Sequence, residues 1–252
     1  MQFLALHGFT GRGSDFEPIA GFVGGSWHCP DMPGHGPDSD LDCTPNATKA
    51  FVERHSAKLQ SWARDEPKIL LGYSMGARAA LLHATAEPDA WQALILISPN
   101  PGIESEYERK ARRCDDRVLA EKLGEMGIEN FIKHWQETPL IRSQKNAAPA
   151  RQDAMMAARK THSSTGLQNS LLQFGQGSVP NLWPKLADLS IPTLVISGSS
   201  DEKYTSIARK MATDFPKAIV HKSLSDRSHA PHLEDPEYCG TSILHFLARL
   251  SQ

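Results

Sequence analysis

The stretch "KILLGYSMGARAALLHATA" (68–86) decides how this chain folds. It opens as a short apolar run of strand length, closes as an Ala-rich run of helical length, and sets a serine between two glycines where they meet. A strand that turns sharply into a helix presents its turn residue at the sheet edge, and G-x-S-x-G is the pattern in which that residue is an exposed serine hydroxyl. The glycines leave room for close backbone approach. The competing reading, a Gly/Ser turn without chemistry, is decided by the rest of the chain.

Outward from this stretch, short apolar runs alternate with longer amphipathic ones in two blocks. Residues 2–6, 68–73, 93–98, 192–197 and 218–222 read as strands, with 26–30 as a weaker sixth. Helices are predicted from Thr44, an N-cap followed by Pro45, with Phe51, Val52, His55, Leu59 and Trp62 at helical spacing, and over 75–86, 202–214 and 236–249. This pattern predicts an α/β fold with a mostly parallel sheet covered by helices on both faces. Residues 103–179 break the alternation, being rich in Arg, Lys, Glu, Gln and Ala with no strand-like run. They read as a helical lid inserted after the fourth strand, leaving 1–102 and 180–252 as the core.

Composition narrows the function classes. With 252 residues, 27 basic against 29 acidic side chains and a net charge of −2, the chain offers no general polyanion surface, so nucleic acid is not an expected partner. The four cysteines have neither C-x-x-C spacing nor the density of a disulfide scaffold and read as reduced thiols. No secretory signal and no run of membrane-spanning length is visible, which predicts a soluble cytoplasmic protein.

A reactive serine needs a base, and the base needs an orienting carboxylate, in the chain order Ser, Asp/Glu, His. Ser74 has both candidates. "GSSDEKY" places Asp201 in the loop after one strand, and "SLSDRSHAPHLEDP" places His229 in the loop after the next. Catalytic groups gather at that sheet edge in open parallel sheets. Asp226 and His232 are the runners-up. "LHGFTGRGSDF" (6–16) supplies a turn whose Phe9 N–H can join the Met75 N–H in binding an oxyanion. "DMPGHGPD" (31–38) holds Asp31, His35 and Asp38 and reads as a Pro/Gly turn rather than a metal site. Arg78, one helical turn beyond Ser74, can bring a guanidinium to the same pocket, where it suits a carboxylate; the alternative is a surface arginine capping or salt-bridging the helix.

With H-G-F, D-x-P-G-H-G, G-Y-S-M-G and the ordered Asp and His loops, the chain resembles the α/β-hydrolase-fold superfamily over nearly its whole length. No strand-like run precedes residue 2, so the resemblance implies a sheet of about six strands. Within that superfamily, "GYSMGAR", "ISPNPGI", "ERKARRCDDR", "HWQETPL" and "GSSDEKY" resemble the 2-succinyl-6-hydroxy-2,4-cyclohexadiene-1-carboxylate synthase (MenH) family of menaquinone biosynthesis. The resemblance implies a lyase that eliminates pyruvate from a polycarboxylate cyclohexene without metal or organic cofactor. It makes Ser74, Asp201 and His229 the triad and Phe9 and Met75 the backbone donors. It also places Tyr73, Arg78, Arg112, Trp135, Arg159 and Lys203 around the substrate, with Arg109 and Arg113 competing with Arg112. Whether Ser74 serves as base or nucleophile stays open, since both uses want the same triad. A carboxylesterase or C–C bond hydrolase with an acyl-enzyme is the alternative function, and a non-catalytic ligand-binding protein on the same fold is a further one.

Overall fold

The computed structural model describes residues 1–37, 41–62 and 66–250. Asp38 and the side chain of Trp62 lie outside the described residues.

Six strands form one fully parallel sheet: β1 (Gln2–Leu6), β2 (Ser26–His28), β3 (Lys68–Tyr73), β4 (Ala93–Ile97), β5 (Thr193–Gly198) and β6 (Ile219–Leu224), in the order β2-β1-β3-β4-β5-β6. The continuous apolar runs of β1, β4 and β5 are buried along their whole length, as strands covered on both faces must be. Period two still operates inside them. Leu4, Leu6, Leu70, Leu94, Leu96 and Val195 join the core on one face, and Phe3, Ala5, Ile69, Leu71, Ile95 and Ile97 the core on the other. β6 is an edge strand with an alternating burial pattern, and Val220 on it is half exposed. β2 pairs only with β1 and spans three residues, shorter than the 26–30 predicted.

Helices α1 (Glu17–Val23) and α9 (Pro236–Leu250) pack together on one face, and α2 (Pro45–Trp62) and α3 (Met75–Ala84) on the other, with α7 (Glu202–Asp214) between β5 and β6. Thr44 Oγ1 accepts from Ala47 N–H ahead of Pro45, the N-cap read from sequence. Between β4 and β5 lie three helices: α4 (Glu106–Gln136), α5 (Pro149–Arg159) and α6 (Ser164–Phe174). α4 is 31 residues long but breaks at Gly127, whose φ of +71° and ψ of 164° leave the helical region. Leu123, Phe131, Ile132 and Leu167 form a small separate core between α4 and α6, against which Phe9 packs. A short helix, α8 (Pro231–Glu234), leads into α9.

The strand order reverses between β1 and β3, because the chain leaves β1 to one side and returns on the other. Such a switch point leaves a crevice outside the carboxyl ends of the strands. The loop after β1 and the turn after β3 both end there.

Candidate active site

Ser74 sits between β3 and α3 with φ +51° and ψ −107°, a strained conformation for a residue with a Cβ, as an elbow serine requires. The two glycines of the motif make it possible. A Cβ on Gly72 would stand 2.4 Å from the Gly76 carbonyl oxygen, and one on Gly76 would stand 1.9 Å from that of Leu6. The elbow is thus pressed against the end of β1, and Ser74 N–H donates to Ile97 O of β4 at 2.9 Å.

Ser74 Oγ lies 3.0 Å from His229 Nε2, and His229 Nδ1 lies 2.8 Å from Asp201 Oδ2. The three residues come from the ends of β3, β5 and β6. Asp201 is held in turn as the N-cap of α7, its Oδ1 accepting from Tyr204 N–H at 3.2 Å. Asp226 is exposed, sits in a turn with φ +58° and accepts no bond from the imidazole. His232 is buried with neither ring nitrogen partnered among the described residues; its ring lies 4.3 Å from that of Tyr73, and burial pushes its pKa down to about 3.

Several groups that fix the histidine carry no pattern in the sequence. Ser98, with φ +48° at the end of β4, donates from Oγ to the His229 carbonyl at 2.7 Å. The Glu234 carboxylate accepts from Ser228 N–H at 2.9 Å and Ala230 N–H at 3.3 Å, on both sides of His229. A carboxylate five residues after the histidine, at the end of the short helix α8, is the only signal that could have marked it.

Phe9 N–H and Met75 N–H bond to no acceptor among the described residues, and both residues line the cavity that exposes Ser74. Unengaged N–H groups on the same cavity as a serine hydroxyl are what an oxyanion site needs. The same cavity is lined by Tyr73, Arg78, Arg112 and Trp135.

Arg78 is buried, so the surface-arginine alternative does not describe it. Nη2 donates to Phe174 O at 3.3 Å, Nε has no partner among the described residues, and burial pushes its pKa down to about 10, still cationic at neutral pH. Of the three neighbouring arginines on α4, Arg112 lines the cavity, whereas Arg109 and Arg113 pair with Glu106. Arg112 Nε donates to Asp116 at 2.8 Å and Nη1 to Gln176 Oε1 at 2.8 Å. Asp116, a buried carboxylate that also accepts from Gly177 N–H, was legible only as an i,i+4 partner of Arg112.

Arg159 and Lys203 stand next to this cavity rather than on its wall. Arg159 is buried, donates from Nη2 to Gln144 Oε1 at 2.7 Å, and lines an adjoining cavity with Gln144 and Ile141; its Nε and Nη1 have no partner among the described residues. Lys203 is exposed on an open groove that shares Arg112 and Gln176 with the main cavity.

The remaining motif residues are engaged in structure. Asp31 pairs with Arg12 at 2.8 Å and accepts from Gly13 N–H at 2.9 Å. His35 bonds Thr10 N–H and the Pro33 carbonyl. Among the described residues no cluster of three or more His, Cys, Asp or Glu side chains could hold a metal, and no helix is long and apolar enough to cross a membrane.

The model of the alpha/beta hydrolase family matches residues 3–239. The 2-succinyl-6-hydroxy-2,4-cyclohexadiene-1-carboxylate synthase of Serratia proteamaculans is 28% identical over 96% of this chain and 91% of its own length. A Bacillus subtilis protein that carries the same name provisionally is 31% identical over 98% of this chain and 90% of its own length. The solved structure of MenH from S. aureus superposes with a TM-score of 0.91 at 32% identity, covering 100% of this chain and 95% of that one. With the triad, the elbow and these full-length similarities together, the chain belongs to the alpha/beta hydrolase family and, within it, to the MenH family.

Proposed function

We propose that this chain is a carbon–oxygen lyase of menaquinone biosynthesis. It eliminates pyruvate from 2-succinyl-5-enolpyruvyl-6-hydroxy-3-cyclohexene-1-carboxylate to give 2-succinyl-6-hydroxy-2,4-cyclohexadiene-1-carboxylate. The observation that carries this reading is Arg78: a buried guanidinium on the wall of the Ser74 cavity, engaged by a single carbonyl. A desolvated cation is costly unless an anion meets it, and a neutral ester brings none. The substrate bears three carboxylates.

The two names define the chemistry. The ring loses hydrogen at C2, which the succinyl ketone acidifies, and loses its substituent at C5, while one double bond becomes two. The C2–H electron pair forms C2=C3, the old C3=C4 pair moves to C4=C5, and the C5–O bond breaks. Enolpyruvate leaves and takes up a proton on carbon to become pyruvate.

In this reading His229, oriented by Asp201, draws the proton from Ser74 Oγ, and the serine oxygen removes the C2 proton. Negative charge develops on the succinyl ketone oxygen, where the Phe9 and Met75 N–H groups receive it. Fixed donors of this kind are worth about 3–4 kcal/mol each in related sites. Arg78 and Arg112 hold substrate carboxylates, Tyr73 and Trp135 shape the cavity, and Arg159 and Lys203 supply cationic charge from its two sides. Residues 103–179 serve as a lid over the core of 1–102 and 180–252, keeping the developing charge away from water. No metal or organic cofactor takes part in this scheme, and the partner is the small-molecule polycarboxylate.

The test is to supply the cyclohexene substrate and follow pyruvate together with the ultraviolet absorption of the conjugated diene. The two should appear one for one. Failure of both at high enzyme concentration overturns the assignment.

A further inference from the structure

Thr10 directly follows Phe9 and has φ +62°, a left-handed conformation that a β-branched residue keeps only when its surroundings hold it there. It is buried, and two histidine rings hold its two backbone groups. Thr10 N–H donates to His35 Nε2 at 3.2 Å, and Thr10 O accepts from His162 Nε2 at 3.0 Å. The far nitrogens are also engaged: His35 Nδ1 with Pro33 O at 3.1 Å, and His162 Nδ1 with Gly36 N–H at 2.8 Å. An amide N–H can only donate and a carbonyl can only accept, so each ring is pinned in one neutral tautomer: the hydrogen is on Nδ1 of His35 and on Nε2 of His162. The two rings meet edge-on, 5.4 Å apart.

His162 stands between α5 and α6, in the helical segment that separates β4 from β5. The Phe9 ring is gripped from the same segment, edge-on to Trp135 at 5.5 Å, and from His35 at 5.8 Å. The turn that carries one oxyanion donor is therefore shaped by residues some 25 and 150 positions away.

We infer that His162 and His35 are positioning residues that clamp Thr10 in its left-handed conformation and thereby aim the Phe9 N–H at the developing oxyanion. Neither touches substrate. The helical segment thus completes the anion site as well as covering it. This inference rests on the donor role given above to Phe9, and not on the identity of the substrate.

His162→Asn and His162→Gln separate the clamp from general packing. The asparagine amide reaches the place of Nδ1, so it keeps the Gly36 bond and loses the one to Thr10; the glutamine amide reaches the place of Nε2 and keeps the Thr10 bond. Two readouts apply: kcat for pyruvate release, and the rate at which a fluorophosphonate labels Ser74, forming the Oγ–P bond and expelling fluoride with the P=O oxygen in the oxyanion site. The expected result is a loss of about 10- to 100-fold in both rates for His162→Asn with KM little changed, and substantial recovery in His162→Gln. Thr161→Ala removes the 2.6 Å bond from Arg12 to the same stretch without touching Thr10, and should leave both rates as they are. If His162→Asn does not fold, His35→Asn against His35→Gln makes the same comparison through Thr10 N–H. Equal rates in the Asn and Gln variants, whether both normal or both reduced, overturn the inference. If the unaltered protein releases no pyruvate while labelling still follows the Asn/Gln pattern, the lyase reading fails and the clamp stands.

Discussion

Arg78 Nη2 donates to the Phe174 carbonyl at 3.3 Å, and the guanidinium carbon lies 5.9 Å from the centre of the Phe174 ring. That one residue of α6 fixes the cation on both its edge and its face, and still leaves Nε unpartnered among the described residues. Among the described residues no carboxylate pairs directly with the guanidinium, and in the proposed reading a substrate carboxylate does so. Arg78→Ala should therefore lower kcat/KM toward the tricarboxylate by about 10- to 100-fold, the range of a charge-assisted hydrogen bond of about 1.5–3 kcal/mol. Turnover of a neutral ester should change far less. Arg78→Lys should recover little, because an ammonium cannot reproduce the planar fork. Equal losses on both substrates would make Arg78 a structural residue.

Asp201 has two tasks on two oxygens, and one substitution separates them. Asn at this position still caps α7 toward Tyr204 N–H, but in the proposed mechanism it no longer provides the charge that stabilises the imidazolium formed when His229 takes the serine proton. Asp201→Asn should keep the thermal midpoint near that of the unaltered protein and lower kcat by about 100- to 10,000-fold. A large fall in midpoint with kcat retained would reverse the two roles.

Gly76 and Gly21 make a matched pair for stability. A Cβ on Gly76 meets the Leu6 carbonyl at 1.9 Å, whereas one on Gly21, inside α1, meets nothing within 4 Å. Gly76→Ala should fail to fold or lose more than about 3 kcal/mol, and Gly21→Ala should gain roughly 0.5–1 kcal/mol from helix propensity and reduced unfolded-state entropy. Urea denaturation read by circular dichroism checks both. A Gly76→Ala protein of normal stability would mean that the elbow does not press on β1.

Much of this site was legible because its constraints are local. The elbow needs only Gly72, Ser74 and Gly76 in one turn, and Asp201 and His229 announce themselves as polar residues just past apolar strands. Arg112 could be separated from Arg109 and Arg113 only in three dimensions, where Glu106 takes the latter two. Ser98 and the approach of His162 to Thr10 join segments far apart in the chain through single hydrogen bonds. Such contacts leave no periodicity or spacing to read. The sheet order, and with it the switch point between β1 and β3, is likewise a tertiary property that the apolar runs do not carry.

The buried histidines set an acid limit on stability. His7, like His35 and His162, is wired as a neutral ring, with Nε2 accepting from Met32 N–H at 2.9 Å and Nδ1 on Gly8 O at 2.8 Å. Burial, the largest cause in each case, holds the pKa of His7 and His35 below the ordinary value of 6.5 and that of His162 at about 4; Arg12 disfavours a second cation beside all three, while the carboxylates of Asp15 and Asp31 at His7, and of Asp31 at His162, oppose the shift without reversing it. The folded-state pKa values lie below the unfolded one, so this stability is present above about pH 6.5 and is lost as pH falls, at up to about 1.4 kcal/mol per pH unit for each histidine. Chemical denaturation between pH 7 and 4.5 should show a steadily falling free energy of unfolding. A flat profile would mean that these rings take up protons in the folded protein as readily as in the unfolded one.

The most direct measurement compares two activities of the same unaltered protein: kcat/KM for pyruvate release from the cyclohexene tricarboxylate, and kcat/KM for hydrolysis of p-nitrophenyl acetate. A lyase built around Arg78 and the Ser74–His229–Asp201 triad should prefer the tricarboxylate by orders of magnitude, and Ser74→Ala should abolish both activities. Ester hydrolysis that outpaces pyruvate release would contradict this and assign the same triad to acyl transfer.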